Sequence, residues 1–257
     1  SKFGFALETG EAMEAVKFAT KFRHVRLKGM HNHIGSQIFD IEPFKSAAKV
    51  MLEFMNQIRT ETGIVIEELN LGGGFGIKYV DSDKPVPYGD YMKEISHVVY
   101  QTCETLDFPV PYIFMEPGRS IVGEAGITLY RVGGIKEIPN IRTYVSVDGG
   151  MTDNPRYALY QSEYSVVVAN KANEPAVKKV TIAGRCCESG DLIQENTMIQ
   201  DVEVGDTLAV LSTGAYNYSM ASNYNRIGKP AVVMVRNGEP TIVVKRETYA
   251  DLVRNDI

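Results

Sequence analysis

The sequence has 257 residues, of which 44% are hydrophobic and 23% charged, and its net charge is −5. These proportions suit a globular protein with one large domain or two small ones. No lysine–arginine run stands out, which argues against a nucleic-acid partner, and no apolar run approaches the roughly 18 residues of a membrane-spanning helix. Three cysteines, Cys103 and the adjacent Cys186 and Cys187, make a poor disulfide framework and point to a reducing, cytoplasmic setting.

In chain order, Ala12, Ala15, Val16, Ala19 and Phe22 fall at helical spacing and predict a helix over 11–22. Val25 to Met30 reads as a strand that ends in His31-Asn32-His33-Ile34-Gly35-Ser36. Pro43 opens a second helix whose apolar stripe is Phe44, Ala47, Ala48, Met51, Leu52, Met55 and Ile58, with Gly63 as its C-cap. Ile66 to Leu71 is the next strand and runs into Gly72-Gly73-Gly74. A polar loop over Lys78–Pro87 leads to a helix near Tyr91–Leu106. Tyr112-Ile113-Phe114 then reads as a buried strand ending in Met115-Glu116-Pro117-Gly118-Arg119-Ser120.

Such βαβαβ alternation is the pattern of a parallel sheet with helices outside it. After about residue 125 the elements become short strands: Ile127–Ile135, Thr143–Val147, Ser165–Ala169, Lys179–Ala183 and Thr207–Leu211. Ala231–Arg236 and Thr241–Lys245 flank the hairpin signal Asn237-Gly238. The expected class is α/β: residues 1–125 as the C-terminal part of a (β/α)8 TIM-like barrel, and residues 126–257 as a mainly β domain. A whole barrel takes about 250 residues, so its first half is expected outside this sequence or on a partner chain.

Three strand ends concentrate polar or glycine-rich chemistry, which in a parallel barrel marks one site at the C-terminal face. Glycines after a strand let backbone N–H groups approach an anion unhindered. No dinucleotide fingerprint can be drawn through residues 72–79, so a phosphate monoester is the better guess, against an ordinary flexible turn. His31 and His33, two apart on a strand, would share a face and could bind a metal, but other histidine or aspartate ligands at strand ends are missing. A histidine stacked on a planar cofactor needs no such partners. Glu116, at a strand end, would keep a pyridine nitrogen protonated and make the ring an electron sink; the plainer reading is an ion pair with Arg119. Cys187, beside an acid in a Ser-Gly loop, is either a buried inert thiol, the favoured reading from spacing, or an exposed proton donor.

His-Asn-His-Ile-Gly-Ser-Gln-Ile, Leu-Gly-Gly-Gly-Phe-Gly, Glu-Pro-Gly-Arg-Ser-Ile-Val, Cys-Glu-Ser-Gly-Asp and Gly-Ala-Tyr, in that order, resemble the motifs of the diaminopimelate decarboxylases. These are pyridoxal phosphate (PLP) enzymes with an alanine-racemase-type barrel and a C-terminal β domain. The resemblance implies decarboxylation of meso-2,6-diaminopimelate to L-lysine, with PLP as cofactor and no metal. It implies that His33 stacks on the cofactor ring and Ser36 lies near its phosphate, which Gly73, Gly74, Gly118 and Arg119 hold. Glu116 would face the ring nitrogen. Arg119, Arg156 and Tyr160 would contact substrate, and Tyr216 both substrate and cofactor. Cys187 would be the proton donor and Glu188 the reader of the distal amine, both reaching in from the second subunit of a homodimer. Two departures stand out. Tyr157 replaces the proline often found after the matching arginine, and no lysine lies in the Tyr-Ala-x-Lys-like context of the family's Schiff-base residue. Other readings are a related basic amino-acid or carboxynorspermidine decarboxylase, a barrel metallohydrolase using His31 and His33, and a silent regulatory homologue.

Overall fold

The computed structural model describes residues 2–257, and the elements counted below are those of the described residues. The chain forms two compact units. One runs to Ile77 and resumes over Lys84–Ser120; the other is Lys78–Asp83 with Ile121–Ile257.

The first unit holds α1 (Glu11–Ala19), β1 (Gly29–His31), α2 (Glu42–Thr62), β2 (Glu68–Asn70), α3 (Tyr88–Thr105) and β3 (Tyr112–Phe114). The strands form a parallel sheet in the order β1-β2-β3. Proline in the first turn of α2 and a left-handed Gly63 after its last residue (φ 74°) set that helix's limits, as its sequence predicts. Its stripe of Phe44, Ala48, Leu52, Met55 and Ile58 is buried, joined by Phe54, against Ile95, Val99 and Cys103 of α3 and Leu69 of β2.

Three expectations fail here. α1 stops at Ala19 and leaves Phe22 exposed outside it. The first strand begins only at Gly29, with Val25 in solvent. β3 is exposed at all three residues rather than buried, Tyr112 being 76% accessible. It pairs on one side only, with β2, and an apolar strand at a sheet edge keeps its side chains in water unless something covers them.

The second unit is built on β4 (Thr128–Ile138), β5 (Arg142–Val147), β6 (Val166–Val168), β7 (Lys178–Ala183), β8 (Leu192–Ile199) and β9 (Thr207–Val210). They form one sheet in the order β6-β9-β4-β5-β7-β8, antiparallel except between β5 and β7. The sheet curls until its end strands meet. There the side-chain oxygens of Gln194 and Gln200 accept the N–H groups of Tyr164 and Val168, each at 2.8 Å. The loop expected over residues 78–87 is split: Tyr79 lies in this unit, its ring 5.3 Å from that of Tyr164 and its carbonyl bonded to Ser165 N–H. β10 (Val232–Arg236) and β11 (Glu239–Val244) make a separate hairpin, with Asn237 and Gly238 both left-handed as their sequence predicts. Short helices α4 (Arg119–Val122), α5 (Arg156–Tyr160) and α6 (Tyr249–Val253) complete the elements used below.

Candidate active-site residues

In the first unit, the ends of the three strands hold one group of polar residues. Phe75, just after the glycines, is 3% exposed and packs on Phe44, Tyr88 and Tyr91, with ring centroids 5.1–5.3 Å apart. That aromatic cluster pins the loop behind it. A Cβ added at Gly73 would lie 2.2 Å from the Glu116 carbonyl oxygen, and at Gly74 2.4 Å from that of Gly35. Gly72 and Gly74 also have positive φ, 68° and 103°, so no other residue type fits this cradle without moving backbone. Gly118 differs, since a Cβ there would meet nothing within 4 Å.

His33 lies beyond the end of β1, and its Nδ1 accepts the Gly73 N–H at 3.2 Å. An accepting Nδ1 places the proton of the neutral ring on Nε2. His31 turns elsewhere, with Nε2 3.4 Å from Glu116. The pair therefore does not converge, and no three metal-ligating side chains cluster among the described residues. Glu116 Oε1 accepts from Asn70 Nδ2 at 2.8 Å, while Asn70 Oδ1 accepts the Gly72 N–H at 2.9 Å. Asn70 thus couples the carboxylate to the glycine loop. Its position just before Leu-Gly-Gly-Gly was the available signal for it. Arg119 Nη2 donates to Ser36 Oγ at 2.7 Å, and Tyr88 donates to Ser120 Oγ at 2.5 Å.

In the second unit, Arg156 is 7% exposed. Its Nε donates to Tyr164 Oη at 2.8 Å and its Nη2 to Ser162 Oγ at 3.2 Å. The rings of Tyr79, Tyr160 and Tyr216 stand 5.2–5.8 Å from its guanidinium carbon, which is cation–π geometry. Asp153, three residues before it, accepts from Tyr130 rather than pairing with this guanidinium. Burial pushes both Tyr130 and Asp153 above their ordinary values. Tyr216 holds a left-handed backbone (φ 71°), uncommon for a bulky residue and frequent at functional sites. Tyr157, at the proline departure, donates to Glu195 at 2.7 Å, and burial with that carboxylate pushes its phenol up to about 12.

The 184–191 loop presents Cys187 and Glu188 to solvent. Cys187 is not the buried thiol that spacing favoured, because the loop turns outward between β7 and β8. Cys186 is half-buried, and burial followed by Asp191 pushes its thiol up to about 11. Asp191 itself is 2% exposed and accepts the N–H groups of Met151 at 2.6 Å and Cys186 at 2.7 Å. Its backbone closes the loop, with Gly184 N–H to its carbonyl and its own N–H to Glu188.

Residues 1–123 match the family model for the pyridoxal-dependent decarboxylase pyridoxal-binding domain, and residues 120–214 that for the C-terminal sheet domain. The chain belongs to the pyridoxal-dependent decarboxylases. Within that family it is 49% identical over all 257 residues to the diaminopimelate decarboxylase of Bacillus subtilis, of which it covers 58%. It is also 49% identical to that of Staphylococcus aureus, again over the whole chain and covering 60%. The solved diaminopimelate decarboxylase of M. jannaschii in complex with L-lysine superposes with a TM-score of 0.93 at 38% identity, over the whole chain and 58% of that structure. The chain therefore spans about three fifths of the length of these relatives. The strand-end residues fit a PLP group: Glu116 offers a carboxylate steadied by Asn70, the glycines admit close approach, and Arg119, Ser36, Ser120 and Tyr88 supply a cation and hydroxyls suited to a phosphate.

Proposed function

We propose that this chain is part of a PLP-dependent carboxy-lyase that converts meso-2,6-diaminopimelate to L-lysine and CO2, the closing step of lysine biosynthesis. The observation that carries this reading is the buried guanidinium of Arg156. Its Nε and one Nη donate within the fold, which fixes the fork and leaves its other donors for a carboxylate. A substrate with a second, retained carboxylate needs such a group; ornithine and lysine do not. The near-50% identity to curated diaminopimelate decarboxylases supports the choice.

PLP, when bound, supplies an electron sink for the pair left on the α-carbon as CO2 departs. Glu116 keeps the ring nitrogen protonated, and Asn70 holds that carboxylate in place. His33, oriented by Gly73, offers its ring face for stacking. Gly73, Gly74, Gly118, Ser36 and Arg119 hold the phosphate. Gly73 contributes through its missing side chain, because its N–H is already given to His33. Arg119, Arg156, Tyr160 and Tyr216 contact substrate, and Glu188 meets its distal ammonium. Cys187 returns a proton to the α-carbon. In our reading, the exposed Cys187–Glu188 loop serves a second copy in a cytoplasmic homodimer, and β1–β3 form part of a (β/α)8 barrel. The 49–50% relatives favour this over a basic amino-acid decarboxylase of other specificity.

The test is kcat/KM of the full-length enzyme on meso-diaminopimelate, L-lysine and L-ornithine. An unpaired buried charge costs on the order of 2–5 kcal/mol, so Arg156→Ala lowers kcat/KM on diaminopimelate by roughly two to three decades. Arg156→Lys also impairs it, since charge without the fork is not enough. Faster wild-type turnover of ornithine or lysine, or an Arg156→Ala enzyme of unchanged activity, overturns the reading.

A further inference from the structure

Glu188 sits on an exposed loop, yet its carboxylate is not left to wander. Tyr224 Oη donates to Glu188 Oε1. The Tyr224 ring is 43% exposed, so burial of the aromatic face does not account for its placement. The turn that carries it is tied down on several sides. Asn223 Nδ2 donates to the Ile227 carbonyl at 3.1 Å and to Glu247 Oε2 at 2.6 Å. The same Glu247 oxygen accepts the Lys229 N–H at 2.8 Å. Arg226 pairs with Asp256 at 2.6 Å, and Ser222 N–H bonds to the Thr152 carbonyl at 2.8 Å.

Two consecutive non-glycine residues in this turn, Asn225 and Arg226, hold left-handed backbone at φ 54° and 55°. Asparagine tolerates that region, but arginine adopts it at a cost that surrounding contacts must offset. A turn over-determined in this way, ending in a phenol aimed at one carboxylate, has the form of a support for that carboxylate. The loop on the other side is fixed by buried Asp191, whose two amide contacts anchor the backbone under Cys186. Backbone and carboxylate of the Glu188 loop are thus held by separate devices.

We propose that Tyr224 is a positioning residue that sets the direction of the Glu188 carboxylate and so tunes selectivity for a substrate carrying a distal ammonium. The proposal rests on the assignment of Glu188 to that ammonium. A free glutamate loses rotamer entropy when it meets a cation. One already fixed by a phenol has lost part of it beforehand, while only one of its two oxygens is engaged by that phenol. The charged and titratable groups facing the phenol are Glu188, Cys186 and Cys187, and the hydrogen bond to Glu188 raises it above the ordinary tyrosine value.

The experiment uses the full-length holoenzyme with Tyr224→Phe, Glu188→Ala and the double variant. A hydrogen bond of this kind is worth about three- to tenfold, so Tyr224→Phe raises KM for meso-diaminopimelate by about that factor and moves kcat less. On the Glu188→Ala background the same substitution adds nothing further. Penalties that add in full, or an unchanged KM, overturn the proposal. A second readout is independent of turnover: the near-ultraviolet tyrosinate titration of wild type minus Tyr224→Phe. It shows one tyrosine ionising late, and Glu188→Gln brings that tyrosine back toward the ordinary range. An unmoved titration in Glu188→Gln refutes the contact. If the enzyme does not decarboxylate diaminopimelate at all, the functional assignment falls, and the titration alone then decides whether Tyr224 holds Glu188.

Discussion

Glycine does opposite work in two loops of the molecule, one in each unit. In the 72–74 loop the space a Cβ would need is filled by main chain: the carbonyl oxygens of Asn32, Glu116 and Gly35 lie 2.6, 2.2 and 2.4 Å from it. In the second unit the space beside Gly149, Gly150 and Gly184 is filled by side chains. The Tyr130 ring comes within 2.3 Å of a Cβ at Gly149, and the Asp191 carboxylate within 2.4 and 2.2 Å of one at Gly150 and Gly184. The first arrangement brings backbone close to backbone and makes a cradle. The second makes a socket that lets a carboxylate reach amide groups. A cradle cannot be repaired by trimming a neighbour; a socket can.

That difference gives the largest expected effect. Gly73→Ala and Gly184→Ala each overpack their site and cost about 3 kcal/mol, read from denaturant midpoints. Asp191→Ala alone leaves the Met151 and Cys186 amides without their acceptor and costs about 2–4 kcal/mol. The Gly184→Ala/Asp191→Ala pair is then less destabilised than the sum of its parts, because the added methyl occupies the space the carboxylate left. Gly73→Ala has no such partner. Equal rescue of Gly73→Ala by truncating any neighbouring side chain breaks the distinction.

A smaller effect sharpens it. Burial raises Asp153 above the ordinary aspartate value of 3.8, more than its bonds from Tyr130, Gly150 and Thr152 lower it. A carboxyl whose value is higher in the fold than in the unfolded chain favours folding most when protonated. Its contribution is therefore complete below pH 3.8 and is lost as pH rises through the folded value. Asp153→Asn, which stays neutral at every pH, should gain on wild type as pH rises from about 4 to 7. Stability measured at stepped pH checks this, and a gap that stays flat or narrows contradicts it.

Much of the scaffold was legible in the sequence, for reasons that are local. The α2 stripe, its Pro43 and Gly63 limits, and the Asn237-Gly238 turn depend on residues within a few positions of one another. The glycine run announced a backbone approach but not what approached. β8 went unseen because Gln194-Glu195-Asn196 breaks its apolar pattern, and Gln194 is buried for a partner 30 residues away. Asp191 looked like the polar end of a loop motif because its acceptor role is served by the Met151 amide, 40 residues earlier. Tyr224 lies 36 residues from Glu188, and nothing in its neighbours signals the contact. Interior polar groups are chosen by partners the fold brings together, so periodicity carries no trace of them.

The two glutamines that join the ends of the second unit's sheet have a consequence for how molecules meet one another. An open strand offers a row of amides and carbonyls on which another chain can add, the first step toward aggregation. At the β6 end of this sheet, Tyr164 and Val168 have already given their N–H groups to Gln194 and Gln200. The seam is closed by side-chain amides standing in for a neighbouring strand. That end of the sheet therefore offers an approaching chain two fewer free amides to pair with.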